Sequence, residues 1–320
     1  MRGWFKTPIV ATALAAAAVS AVISVSVTRT AGQGTRPARV AGRPNFGGVW
    51  QALNEAHWDL QAHEARAGMV TQKGIYSYEY ARVPAAPVLA LGAAAGVPGS
   101  LGVVQGDGQI PYKPEAAAIK QQNSENWIDR DPELKCYLPG IPRAMYMPYP
   151  FSIAQGTDKI HMTYAFSNAG RVIHMNKVEG PPDDTFMGHS VGRWEGDTLV
   201  VEVTNFNGKN WFDRAGNFHS DALRLVERYS AINADAIRYE VTIEDPKVFA
   251  RPWTISMPLY RRLEPNATVI DYPCIEFAEE FMYGHLRKEQ LVKRWEGETL
   301  IVEITRKVPP GDRLHDWYRR

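Results

Sequence analysis

The sequence predicts a mainly β protein: an antiparallel meander that closes into a barrel or splits into a two-sheet sandwich, with short helices near its N-terminus. Three observations carry that reading. Short runs rich in β-branched and aromatic residues occupy 149–154, 160–166, 171–175, 223–229, 236–243, 254–261 and 268–272. Turn sequences separate them, among them Gln155-Gly156-Thr157-Asp158, Asn168-Ala169-Gly170, Asn233-Ala234-Asp235 and Glu264-Pro265-Asn266-Ala267, the punctuation of successive hairpins. A hairpin sequence also occurs twice: RWEGDTLVVEVT at 193–204 and RWEGETLIVEIT at 294–305 share nine of twelve positions at an offset of 101. Each copy places a Trp, a Gly able to take positive φ, and an alternating Leu/Val/Ile run, hence a strand, a tight turn and a strand. About ten strands are more than an open sheet keeps without closing or splitting. Both repeated hairpins are expected in one continuous sheet system.

The elements follow in order. Arg2 and Lys6 precede an uncharged Ala/Val/Ile stretch ending near Val27, which reads as a signal peptide or, uncleaved, as an N-terminal membrane anchor. Arg29, Arg36, Arg39 and Arg43 place more positive charge after the run than before it, which weighs against export, but the order of elements is that of a signal. The mature chain is therefore read as exported, periplasmic or secreted, touching a membrane only if the first segment is retained. Residues 28–44 are Arg-, Gly- and Thr-rich and form a linker. Residues 45–135 are expected to be helical or irregular and to pack on the barrel. Within them NFGGVW (45–50) reads as an opening strand, 51–67 as a helix by composition and spacing, 82–110 as irregular loop, and 115–128 as a helix opened by Pro114. Residues 136–320 form the antiparallel barrel domain.

Composition narrows the function classes. With 45% hydrophobic and 22% charged residues the chain is globular rather than disordered, collagenous or multi-spanning. Thirty-six Lys and Arg against 35 Asp and Glu leave a net charge of +1, so no nucleic-acid partner is indicated. No Gly-x-Ser-x-Gly elbow, Walker loop or dinucleotide fingerprint occurs, so nucleotide, NAD and serine-hydrolase chemistry are not expected.

KCYLPGIPR (135–143), MGHSVGRWEGDTLVVEV (187–203), WFDRAGNFHSDALRLVERY (211–229), IEDPKVFARPW (243–253) and CIEFAEE (274–280) resemble a widespread family of exported bacterial proteins. The resemblance covers nearly all of 105–285. It implies a single β-rich domain behind a signal sequence and supplies no activity. The Gly-x-Trp of the opening NFGGVW is similar to the start of lipocalin-type barrels.

Candidate chemistry is spread over few residues. Cys136 and Cys274 are the two cysteines, and in an exported chain they most simply form one disulfide, worth roughly 3–5 kcal/mol on the chain-entropy model. A nucleophilic Cys136, or two inert thiols, are the alternatives. Eight histidines are scattered without HExxH or a facial triad, so neither a metal nor a cofactor is expected. The segment from Asn205 to Asp221 places Trp211, Phe212, Phe218, Asp213, Arg214 and His219 together in a connection long for a hairpin. His219 reads as acid or base, Asp213 as its orienting partner, and Trp211 and Phe218 as pocket walls. The blander reading has these aromatics pin the loop while its polar groups satisfy turns. His189, Asp245 and Arg143 are further candidates, the first catalytic and the others ligand-binding. The expected function is cofactor-independent acid–base chemistry on a small hydrophobic or aromatic molecule, as an isomerase, hydratase/dehydratase or lyase. The alternative is a non-catalytic lipocalin-like binder of the same ligand class.

Overall fold

A computed structural model describes residues 36–67, 96–276, 278, 289–297 and 299–307. The signal or anchor segment, the linker residues 28–35, and 82–95 of the expected irregular loop lie outside these residues. The chain divides into two units between Arg36 and Pro37, and the barrel lies in the second.

Two short strands, β1 (Arg39–Val40) and β2 (Arg43–Pro44), form a ribbon before β3 (Gly48–Ala52). A second ribbon pairs β4 (Arg66–Ala67) with β5 (Gly96–Val97). Helices α1 (Pro114–Glu125) and α2 (Trp127–Arg130) follow, where one helix over 115–128 was expected. Then come β6 (Phe151–Gln155), β7 (Lys159–Tyr164), β8 (Gly170–His174), β9 (His189–Glu195), β10 (Thr198–Thr204), β11 (Arg224–Asn233), β12 (Ala236–Glu244) and β13 (Trp253–Arg261). Together with β3 these eight close a nine-stranded barrel in the order β3-β6-β7-β8-β9-β10-β11-β12-β13.

The expected meander is thus present, and it begins at Gly48 rather than at residue 136. It is mixed rather than wholly antiparallel. Strands that alternate in direction cannot close a ring of nine, so one neighbouring pair must run parallel. That pair is β8–β9, with Ile173 opposite Ser190 and His174 opposite Val191. Residues 175–188 carry the chain back along the barrel, the crossover a parallel pair requires. Alternation sets the two faces: Ile237, Tyr239, Val241 and Ile243 of β12 are buried, as are Trp253, Ile255, Met257 and Leu259 of β13. Each such side chain contributes about 1.5–3 kcal/mol by leaving water.

The barrel interior also holds a polar group. Arg171 Nε donates to Ser190 Oγ at 2.8 Å, and both its Nη atoms reach the Glu227 carboxylate. Tyr229 and Tyr239 donate to Glu227 Oε1 at 2.9 and 2.8 Å. Glu227 is fully buried, yet every charge in the group has partners, which is the condition under which a core tolerates them.

Three further expectations are corrected. Residues 51–67 contain no helix: β3 ends in them, and Asn54 Oδ1 and Asp59 Oδ1 accept from Ala56 N and Gln61 N at 3.0 Å each. Such side-chain turns compete directly with helix, and long-range pairing of Gln51 with Tyr260 fixes the rest. Residues 268–272 form no strand. Only Tyr272 makes a bridge, to Phe166, because a closed barrel leaves no edge to join. For the same reason the second repeated hairpin, β14 (Glu289–Glu296) with β15 (Thr299–Lys307), is a two-stranded sheet of its own. Its register still copies the first, Trp295 opposite Leu300 as Trp194 is opposite Leu199. In the first copy the β1–β2 segment clamps the corner: Phe46 stacks on Trp194 at 5.8 Å and Arg39 meets Asp197 at 2.6 Å.

Candidate functional site

Register places most of the candidate residues at one end of the barrel. The end of β10, the start of β11, the end of β12 and the start of β13 lie together there. So do the exit from β3 and the entry to β6. The loops 205–223 and 245–252 and the segments 53–60 and 131–150 therefore meet at this end.

The 205–223 loop is held from within. Trp211 and Phe218 form an antiparallel bridge, and Phe218 stacks on Tyr112 at 6.0 Å. Asp213 is fully buried, and both its oxygens are taken: Oδ1 accepts from Ala215 N and Asn217 N, Oδ2 from Leu60 N and Asn217 Nδ2. Burial and the nearby Asp59 push its pKa up to about 7, against the pull of those donors. Its carboxylate therefore organises the loop and does not orient His219, which corrects the expected pairing. His219 is buried between Phe206 and Phe212, ring centres 5.6 and 5.2 Å away. Its Nδ1–H donates to Ser220 O at 2.9 Å, and burial lowers its pKa. Asp245 is spent on the turn, accepting from Ser220 N at 2.6 Å, Ser220 Oγ at 2.9 Å and Lys247 N at 3.0 Å. His189 is half-buried on the outward face of β9, with Nε2 donating to Val178 O at 3.2 Å. The aromatics line a packed cluster with Phe249 and Trp253.

The loop contributes instead through Arg214. Its guanidinium donates from Nη2 to Glu133 Oε1 at 2.7 Å and from Nε to Glu133 Oε2 at 3.1 Å, and lies 5.4 Å above the Trp58 ring. Its backbone N–H donates to His57 O at 2.9 Å. Arg143, the candidate in the Cys136 loop, donates from Nη2 to the same Glu133 carboxylate and stands 3.6 Å from Asp131 Oδ1 through Nη1. His57 completes the group, with Nε2 facing Glu133 Oε2 at 3.4 Å.

This cluster is almost wholly buried. His57, Asp131, Glu133 and Arg143 are buried, and the Arg214 side chain is 13% exposed. Burial opposes the Glu133 charge, but Arg214, then His57 and Arg143, hold its pKa well below the usual carboxylate range. Burial raises Asp131 to about 6 despite Arg143. Burial likewise lowers His57, outweighing the pull of Glu133. At neutral pH the pair is thus a neutral imidazole facing an ionised carboxylate. Three atoms are left without a partner: His57 Nδ1, Asp131 Oδ2 and Arg143 Nε. An orphaned buried polar atom costs about 1–3 kcal/mol, so three in one cluster single it out as the candidate site.

Cys136 and Cys274 are bonded, which removes the nucleophile and free-thiol alternatives. The bridge sits against the site: Cys136 N donates to Glu133 O at 3.0 Å, and Cys274 Sγ lies 3.7 Å from the same oxygen. Such a bond belongs to an oxidising compartment, and among the described residues no helix is long and apolar enough to cross a membrane.

No model of a known family matches the chain, and no curated protein is significantly similar to it. The site stands on its own geometry.

Sequence reading missed His57 and Glu133 as a pair. They are far apart in the chain, and His57 sits in the stretch read as helix. The available signal was Asp131, Glu133 and Arg143 among the apolar residues flanking Cys136, since charges in a buried segment require partners.

Proposed function

We propose that this protein is an exported barrel that acts on a small hydrophobic or aromatic molecule at its loop-rich end, by acid–base chemistry that needs no cofactor. The observation that carries the proposal is the His57–Glu133 pair with the buried, unpartnered Nδ1 of His57. A carboxylate on one ring nitrogen fixes the tautomer and leaves the other nitrogen as base. In this reading His57 Nδ1 takes a proton from the substrate, Glu133 stabilises the imidazolium, and Arg143 and Arg214 keep Glu133 ionised. A contact of 3.4 Å is long, as such contacts often are before substrate binds. Trp58 supplies an aromatic wall beside Arg214. The reaction class is isomerisation, hydration or dehydration, or elimination. Export is supported by the disulfide and by the resemblance to exported bacterial proteins.

A second reading is a carrier of the same ligand class. It is favoured by the aromatic cluster of Phe206, Phe212, Phe249 and Trp253 around His219, in which the Trp253 Nε1–H is buried without a partner. Incubation of the purified protein with a bacterial metabolite extract, followed by mass spectrometry, separates the two. A compound shifted by one water, or isomerised at constant mass, supports the enzyme. A compound retained unchanged supports the carrier, and finding no compound either changed or retained would remove both readings.

A further inference from the structure

The outer wall of the barrel carries a second group of titratable side chains, remote in chemistry from the buried cluster. His161 on β7, His174 on β8 and His189 on β9 all stand at outward-facing positions of neighbouring strands. His161 is opposite Val172, and His174 is opposite Val191, two residues beyond His189. On one face of a sheet, such diagonal neighbours come within reach of long or aromatic side chains. The His174 and His189 rings in fact lie with their centres 5.5 Å apart and their planes at 32°.

From this geometry we infer that His174 and His189 form a surface site for one divalent transition-metal ion of the Zn2+ or Cu2+ class, held by the two imidazoles and completed by water. The spacing is the first support. An imidazole nitrogen binds Zn2+ at about 2.0–2.1 Å. With the ring centre about 1.2 Å behind the nitrogen, two rings meeting at a tetrahedral angle have centres about 5.2 Å apart, close to the separation observed. The second support is the tautomer. Val178 O can only accept, so the His189 Nε2 facing it at 3.2 Å carries the proton and Nδ1 keeps its lone pair. A ring nitrogen bonded to a backbone carbonyl is the usual outer partner of a metal-ligating histidine. Among the described residues no group of three or more His, Cys, Asp or Glu side chains is placed to hold a metal. The site therefore has two protein ligands, with imidazole selecting ions such as Zn2+ and Cu2+ over Mg2+ and Ca2+.

The test is a calorimetric titration of chelator-stripped, full-length protein with zinc sulfate, alongside His174→Ala, His189→Ala and His161→Ala. All three positions face outward, so the barrel tolerates the changes, and far-UV circular dichroism checks this. Loss of an outer partner alone weakens metal sites by about 10–100-fold. Loss of either member of the pair should therefore weaken Zn2+ binding at least about tenfold, while His161→Ala leaves it unchanged. Electron paramagnetic resonance of the Cu2+ form should show coupling to two imidazole nitrogens. The assignment is overturned by an absence of saturable binding, by equal weakening in all three variants, or by no weakening in either member of the pair.

Discussion

Glu133→Gln probes the buried cluster at its centre, and its magnitude can be worked from the contacts. The carboxylate takes two hydrogen bonds from Arg214, one from Arg143, and the approach of His57 Nε2. Removing its charge leaves two guanidinium groups without their principal counter-ion. Breaking a buried pair in this way costs about 3–5 kcal/mol, a large share of the about 5–15 kcal/mol that holds a domain folded. Two features place the loss near the lower end. Arg214 is partly open to solvent, and Asp131 stands 3.6 Å from Arg143. Asp131 is held up to about 6 in part by the Glu133 charge itself, so in the variant it ionises more readily and compensates Arg143. Urea unfolding at pH 7 with the disulfide intact, followed by tryptophan fluorescence, reads the change as a fall in midpoint at constant slope. Adding Arg143→Met to the Gln variant should restore part of the loss, since it removes the charge left unpaired. A loss below about 1 kcal/mol, or a double variant less stable than the sum of the singles, would refute the reasoning that Glu133 anchors these charges.

Other expectations follow from the same contacts. Asp131 and Asp213 have folded pKa values of about 6 and about 7, above the roughly 3.9 of a free Asp, so the stability they lend is full below about pH 4 and lost as pH rises through those values. Glu133 acts oppositely, its contribution being present above about pH 4.3 and lost as pH falls through its depressed value. His57 and His219, lowered by burial, instead lend stability above about pH 6.5 that is lost as pH falls, so the Asp contribution is read by difference. Asp213→Asn should remove part of the fall in melting temperature between about pH 5 and pH 8, and a pH profile of unchanged shape would show that Asp213 does not titrate as argued. The disulfide spans 138 residues, so replacing both cysteines by Ser should cost up to about 5 kcal/mol on the chain-entropy model, read by the same urea titration. In the barrel interior Arg171→Met alone should cost about 3–5 kcal/mol, whereas adding Glu227→Leu should recover only part of that, because the buried Tyr229 and Tyr239 hydroxyls then lose their acceptor, a contrast visible in melting temperatures.

What the sequence shows, it shows where the interactions are local. Alternating apolar residues and turn signals delimit most of the barrel strands, the RWEG repeat marks two hairpins of equal register, and Pro114 opens a helix. The parallel β8–β9 pair is a property of the whole ring and of its odd number of strands, which no local window contains. Over 51–67 helix propensity yields to the Asn54 and Asp59 turns and to the pairing of β3 across more than two hundred residues. At the site, the 205–221 loop lies at the loop-rich end of the barrel, but its Asp213 and His219 do not pair there. Asp213 and His219 are six residues apart but spend their hydrogen bonds on the backbone of Leu60, Ala215, Asn217 and Ser220. Arg214, between them, reaches out of the loop to Glu133. Arg143 reads in the sequence as a ligand-binding residue, whereas in the fold its guanidinium is held by Glu133 and Asp131, partners decided by tertiary packing alone.

The most direct test of the proposed chemistry is to incubate wild-type protein and His57→Gln with metabolite extract in D2O and follow deuterium uptake by mass spectrometry. Proton transfer through His57 Nδ1 predicts that at least one compound gains solvent deuterium with the wild type. His57→Gln should slow that uptake by about 10²–10⁴-fold, the usual worth of a general acid–base group, while retaining the compound. Equal uptake with both proteins, or retention without any uptake by the wild type, would contradict the account.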